Sequence, residues 1–188
     1  MHKYSKFSGT NEFFFSYSKF YDFIAKQNFD TLVEVGVWKG HSVSYLAKTN
    51  PGKSIYAVDL FDKSYQFAGK ELDAQVPKVY QTYNNTLNST NTRELIEDIQ
   101  GYSSECADKF EDSSVDFVFI DADHSYDAVV KDINAWYPKV RAGGILAGHD
   151  YYPLMFEGVV KAVNEFTQSN GYELNVERGT VWWITKKG

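Results

Sequence analysis

Thr31-Leu-Val-Glu-Val-Gly-Val-Trp-Lys-Gly-His-Ser42 is the stretch on which the fold of this 188-residue chain turns. Its first half is an apolar run broken only by Glu34, the composition of a strand covered on both faces. Its second half carries Gly36 and Gly40, where the backbone can bend sharply, and leads into a helix-period segment from Ser42 to Lys48. A strand that ends in a glycine bend and enters a helix opens a β-α-β unit. A tight turn with no ligand carries the same glycines, so the pair alone leaves both readings open.

Downstream the alternation repeats. Ser54–Leu60 reads as a second strand, Leu95–Gln100 as a third, and Val115–Asp121 as the most apolar of all. Between them Asp62–Asn91 is polar and aromatic, with a helix expected around Glu71–Tyr83. Tyr126, Val129, Val130, Ile133 and Tyr137 recur at helical spacing and should face a sheet. Gly143-Gly-Ile-Leu-Ala-Gly148 begins another strand, and Val159, Val160, Val163 and Phe166 mark a helix stopped near Asn170-Gly171. Tyr172, Leu174 and Val176 then alternate, Arg178-Gly179 turns, and Val181–Thr185 completes a hairpin pattern. The expected architecture is α/β, a mostly parallel sheet with helices on both faces and an antiparallel edge, in one domain spanning 1–188.

Composition narrows the function classes. The net charge is −6, with Lys and Arg scattered and no run longer than Lys186-Lys187, which argues against nucleic acid or an anionic membrane as main partner. Cys106 is the only cysteine, so no intrachain disulfide forms, which suits a reducing compartment. No stretch approaches the ~20 apolar residues that cross a bilayer, and Met1–Phe7 lacks the apolar run of a signal peptide. A cytoplasmic protein is expected, with the exposed edge of the terminal hairpin available to a second copy.

In open α/β sheets ligands sit beyond the carboxyl ends of the strands. There, Trp38 stands where a dinucleotide fingerprint needs a glycine, and Glu34 repels phosphate while welcoming an ammonium group. The chemistry favours an amino-acid-bearing nucleoside over a nicotinamide dinucleotide. Asp59 ends the second strand about 20 residues beyond the glycines, where an acid can accept both ribose hydroxyls. Asp62 follows it; an Asp at a strand end also serves as a helix cap.

Taken together, Glu34-x-Gly36-x-x-x-Gly40-x-Ser42, Asp59, Asp121-Ala-Asp-His-Ser-Tyr126 and Gly143-Gly-Ile-Leu-Ala-Gly-His-Asp150 resemble a class I S-adenosylmethionine-dependent methyltransferase. The resemblance is greatest to the small stand-alone methyltransferase-24 domains and more distant to the catechol-type O-methyltransferases. It runs from about Thr31 to Tyr151 and implies a Rossmann-like, seven-stranded sheet. It also implies that Glu34 and Gly36 hold the methionine part of S-adenosylmethionine, with Ser42 near its carboxylate and Gly40 among the cofactor-binding residues. By the same resemblance Asp59 binds the ribose, Gly101-Tyr-Ser103 flanks the adenine, and Asp121 lies near the sulfonium.

Asp121 and Asp150 end strands that neighbour each other in that sheet order. Two carboxylates so placed repel unless a cation or proton sits between them. Mg²⁺ is the simplest answer, and His149 as a third ligand would favour Mn²⁺. Satisfaction by backbone N–H groups and the cofactor is the alternative. His124, where the catechol-type enzymes place a lysine, and His149 compete as the base that takes a proton from an acceptor hydroxyl; Asp123 and Tyr126 are weaker candidates. The activity implied is O-methylation of a small molecule, a sugar or phenol-like hydroxyl. A non-catalytic nucleoside-binding subunit and a nicotinamide-dependent oxidoreductase are the rival readings.

Overall fold

In a computed structural model, described for residues 16–61, 66–67, 70–71, 76–177 and 180–188, Thr31–Val35 forms the central strand β1. Its neighbours follow from its composition. β2 (Ser54–Asp59) pairs parallel on one side and β6 (Val115–Ile120) parallel on the other. β5 (Ile96–Gln100) extends the first side, while β7 (Val140–Gly148), β9 (Val181–Thr185) and β8 (Asn175–Glu177) extend the second. The order is β5-β2-β1-β6-β7-β9-β8, with β9 antiparallel to both β7 and β8. A separate pair of two-residue strands, β3 (Gln66–Phe67) and β4 (Lys70–Glu71), lies in the segment expected to be irregular.

The period of two along each strand divides the core. Leu32, Phe117, Phe119 and Ala147 face one layer, built by α1 (Ser16–Ile24), α2 (His41–Thr49) and α3 (Val76–Ser89). Val33, Val35, Val118, Ile120 and Leu146 face the other, built by α4 (Ser103–Cys106), α5 (Tyr126–Trp136) and α6 (Glu157–Ser169). Every residue of β6 is buried, as its apolar run requires. Its one acid, Asp116, accepts the N–H groups of Asp30 and Thr31, each at 2.9 Å, and pairs with Arg141.

Several boundaries differ from expectation. β7 starts at Val140, before the glycines, because Arg141 is drawn to Asp116. α3 begins at Val76, with Pro77 in its first turn, rather than near Glu71. His41, one residue before the helix-period segment expected from Ser42, opens α2. α1 is an added element. Tyr21 of α1 packs edge-on against Phe119 at 5.2 Å between ring centroids, and Phe20 lies 6.0 Å from Phe117. Trp182 and Trp183 pack into opposite layers, as alternation demands. Asp62 and the Arg178-Gly179 turn lie outside the described residues.

Candidate active site

The parallel ladder continues one residue past the strand ends and laces them together. Gly36 N–H donates to the Val58 carbonyl at 2.8 Å, Asp121 N–H to Val35 at 2.7 Å, and His149 N–H to Ile120 at 3.1 Å. Gly36 takes φ +85°, and a Cβ there would lie 2.2 Å from the Asp121 carbonyl oxygen. The glycine is therefore dictated by the close pass of the loop after β6. Gly40, at φ +79°, caps α2 in the left-handed region.

Between the glycines the bend consumes its own donors. Val37 and Trp38 N–H groups donate to Oδ2 of Asp59 at 2.8 and 2.9 Å, and Gly40 N–H to the Val37 carbonyl at 2.8 Å. Phe61 N–H donates to the other Asp59 oxygen at 3.2 Å. Three of the carboxylate's roughly four acceptor positions are thus taken by backbone. Trp38, at φ +47°, stays 37% exposed on the outside of the bend.

Glu34 lies beneath the bend, fully buried. Tyr21 Oη donates to one of its oxygens at 2.8 Å, and Ser42 Oγ donates to the other. Burial pushes this carboxyl up to about 8, although both hydroxyls favour its anion. Ser42 is thereby turned inward in the first turn of α2. Ser103 opens α4, and the turn before it is tied to the end of β2 by Gly101 N–H donating to the Asp59 carbonyl at 3.0 Å.

At the ends of β6 and β7, four titratable side chains meet. His124 Nε2 lies 2.8 Å from Asp150 Oδ2 and 3.4 Å from Asp121 Oδ1. His149 Nδ1 lies 3.2 Å from Asp150 Oδ1 and 3.7 Å from Asp121 Oδ2. Among the described residues, ligand-type atoms of Asp121, His124 and Asp150 all fall within 4.8 Å of one another, a span one cation can bridge. Burial disfavours the His124 imidazolium, but Asp121 and Asp150 outweigh it and push His124 up to about 10. His149 is raised by the same two carboxylates against its burial. Asp150 is buried too, yet His124 and His149 hold it well below the usual carboxylate range. Phe156 covers His124 at 4.9 Å between ring centroids.

The model of the family described as "Methyltransferase domain" (Methyltransf_24) matches residues 33–151. The chain belongs to that family.

Its fold is that of the class I methyltransferases, and the matched span contains the bend, Asp59 and the acid–histidine cluster. An uncharacterised protein of Acanthamoeba polyphaga mimivirus is 28% identical over 140 residues, 72% of this chain and 58% of that protein. The chain thus spans little more than half the length of that relative. Among solved structures, the O-methyltransferase NovP superposes with a TM-score of 0.72 at 16% identity, covering 92% of this chain and 80% of NovP. TomG of Streptomyces achromogenes, an O-methyltransferase of tomaymycin synthesis in complex with S-adenosylmethionine, gives 0.66 at 14%, covering 91% and 79%. An O-methyltransferase of Bacillus cereus in complex with S-adenosylhomocysteine gives 0.64 at 14%, covering 97% and 84%.

In this family member, Asp121, Asp150, His124 and His149 converge, whereas the two weaker candidates point elsewhere. Asp123 Oδ1 accepts Ser125 N–H at 2.8 Å at the entry to α5, and Tyr126 Oη donates to Glu165 at 2.5 Å. His124, rather than His149, completes the tightest three-residue cluster. Tyr21 is the residue that sequence reasoning missed. Its signal was the spacing of Tyr17, Phe20, Tyr21 and Ile24, one face of a helix.

Proposed function

We propose that this methyltransferase methylates a hydroxyl oxygen of a small molecule, a sugar or phenol-like alcohol, using S-adenosylmethionine as donor. The observation that carries the reading is the contact of the glycine bend with the acid–histidine cluster through the Gly36–Asp121 backbone approach. A donor held by the bend is thereby set beside groups able to take a proton. When bound, S-adenosylmethionine supplies a methyl on a cationic sulfur: the acceptor O–C bond forms as S–C breaks, the electron pair stays on sulfur, and the hydroxyl proton passes to the protein.

Each side chain has a part in this reading. Gly36 and Gly40 shape the bend, while Glu34 and Ser42 hold the start of α2 against it. Asp59 keeps the bend folded through the N–H groups it accepts and, at the end of β2, meets the ribose. Gly101–Ser103 meets the adenine, and Asp121 faces the sulfonium. His124 or His149 takes the proton, which requires that Asp121 or Asp150 be engaged by something other than histidine. The donor set of two carboxylates and an imidazole fits a divalent cation, Mn²⁺ better than Mg²⁺. Asp121 and Asp150 with either histidine would hold it, and it would supply orientation and acidification of the acceptor hydroxyl.

The bend also speaks against a nicotinamide dinucleotide. A pyrophosphate needs outward N–H groups, and those of Gly36, Val37, Trp38 and Gly40 are all used internally. The same reading takes the chain as one domain working in the cytoplasm on a diffusing acceptor, without nucleic acid or membrane. Homo-oligomerisation along an exposed sheet edge is tested by a direct mass measurement.

Calorimetry with S-adenosylmethionine and S-adenosylhomocysteine tests the donor. Binding of both is expected, weakened about tenfold or more by Asp59→Ala, a loss of at least ~1.4 kcal/mol. No binding, or an affinity indifferent to that substitution, overturns the assignment. For the cation, Mn²⁺ should bind the unchanged protein and not Asp150→Asn; indifference to the substitution removes the cluster as its site.

A further inference from the structure

α1 carries a hydroxyl into the apolar layer it roofs. The Tyr21 ring is fully buried and lies edge-on to Phe119 and Phe117, at 5.2 and 6.0 Å between ring centroids. A phenylalanine ring would pack there equally well, so packing does not account for the hydroxyl. It donates to Oε2 of Glu34 at 2.8 Å, and the other oxygen of Glu34 accepts the Ser42 hydroxyl. α1, β1 and α2 thus meet in one series of hydrogen bonds. Asp22, next to Tyr21, ties α1 to α2 a second time by accepting the Tyr45 hydroxyl at 2.8 Å. Tyr21 and Glu34 are closed off from solvent, whereas Ser42, in the first turn of α2, is half-buried. Of the three side chains, Ser42 is the one that reaches the surface beside the bend.

The direction of these bonds decides what Ser42 can offer a ligand. A serine hydroxyl has one proton and two lone pairs. With the proton given to Glu34, Ser42 has lone pairs alone to present, and these accept an ammonium N–H but give nothing to a carboxylate. That direction holds while Glu34 is an anion. A protonated Glu34 sends its own proton to a hydroxyl oxygen, and at Ser42 this turns the serine proton outward. Burial favours the neutral form, and the Tyr21 hydroxyl opposes it by donating to the anion. Asp121 and His149, the charged groups acting on Glu34 from beyond β6 and β7, push it in opposite senses. A ligand ammonium at Ser42 brings the cation that a buried carboxylate lacks.

We propose that Tyr21 is a positioning residue for the amino end of the donor's methionine part, acting through Glu34 to leave Ser42 facing the ligand as an acceptor. The proposal rests on the reading that seats that part of S-adenosylmethionine at the bend. It gives Ser42 the ammonium group to receive, not the carboxylate.

The experiment compares S-adenosylhomocysteine with its deamino analogue, in which hydrogen replaces the α-amino group, by calorimetry on the full chain. The unchanged protein prefers the amino ligand by about tenfold or more. Tyr21→Phe and Ser42→Ala each remove most of that preference, and the double variant removes no more than the stronger of the two, because both cut one series of bonds. A purely structural Tyr21 would lower the melting temperature of Tyr21→Phe and leave the ratio of the two affinities untouched; that unchanged ratio overturns the proposal. An unchanged ratio in Ser42→Ala overturns it as well, since Ser42 would then serve the carboxylate. Should Tyr21→Phe not fold, Glu34→Gln, which keeps the shape and removes the anion, decides in its place by the same ratio. Failure of the unchanged protein to bind S-adenosylhomocysteine overturns the donor assignment and this proposal together. Binding with no preference for the amino group overturns this proposal alone.

Discussion

Glu34 and Asp59 are both acids under the same bend, and they do opposite work. Asp59 gathers N–H groups and keeps Trp38 and Phe61 in left-handed backbone, at φ +47° and +53°. Such conformations cost about 1–3 kcal/mol each for bulky residues, and they persist at functional rims where surrounding bonds impose them. Asp150, at φ +57°, is a third at the same end of the sheet. Glu34 has only two hydroxyl donors to set against complete burial, and its carboxyl rises to about 8 from an ordinary 4.5. A carboxyl raised on folding binds its proton more tightly in the folded state. Stability is therefore greatest below pH ~4.5 and declines as pH rises towards ~8. Asp132 adds a decline of the same sign, complete by about pH 6, and His124 another from its ordinary 6.5 up to about 10. Only a difference between variants isolates Glu34. In the absence of ligand, the melting temperature should fall between pH 5.5 and 8.5 by about 3 °C or more further in the unchanged protein than in Glu34→Gln. Equal falls would mean that Glu34 is ionised throughout.

At the scale of elements, α1 decides whether Glu34 is tolerable at all. It roofs the layer over Phe117 and Phe119 and brings Tyr21 to the carboxylate. Tyr21→Phe keeps the ring packing and removes one donor, leaving a buried oxygen without its partner. The expected loss is about 1–3 kcal/mol, seen as a fall of roughly 2–12 °C in melting temperature. Because that donor favours the anion, the variant should also lose stability more steeply with rising pH; a shift with no added pH dependence would assign the loss to packing. The parallel strands were legible in the sequence because burial on both faces demands unbroken apolar runs, as in Val115–Ile120. The start of β7 was not, because Arg141-Ala-Gly-Gly is held as strand by Asp116 and the sheet rather than by its own composition. α3 was placed too early, although Pro77 marks its first turn and Val79, Tyr83 and Leu87 recur on its buried face. The acids and histidines of the site were legible because strand ends collect ligands. Their pairing was not: how closely each histidine approaches the two aspartates depends on how two loops approach each other. The use of Asp59 as an acceptor for the bend is likewise a tertiary contact across 21 and 22 residues.

For the whole molecule the decisive feature is the point at which the sheet reverses its direction of growth. β2 and β5 add to one side of β1, β6 and β7 to the other, so the topological switch point, where ligands of such sheets bind, falls between the ends of β1 and β6. Gly36 and Asp121 touch there, and a ligand seated across that contact joins the two halves of the sheet. Binding should then be felt as global stability, since it favours only the folded state. At 100 times its dissociation constant a ligand adds about 2.7 kcal/mol. For a chain of this size that raises the melting temperature by roughly 5–11 °C. S-adenosylhomocysteine should produce such a rise, and NAD at the same concentration should leave the transition within about 1 °C, because Gly36, Val37, Trp38 and Gly40 have spent their N–H groups on Val58, Asp59 and Val37. Asp59→Ala releases two of those groups and should cut the rise with S-adenosylhomocysteine to about half or less without creating one for NAD, since Asp121 still repels phosphate. A rise with NAD in the unchanged protein would mean that the bend reopens on binding, and the sulfonium reading would fall with it.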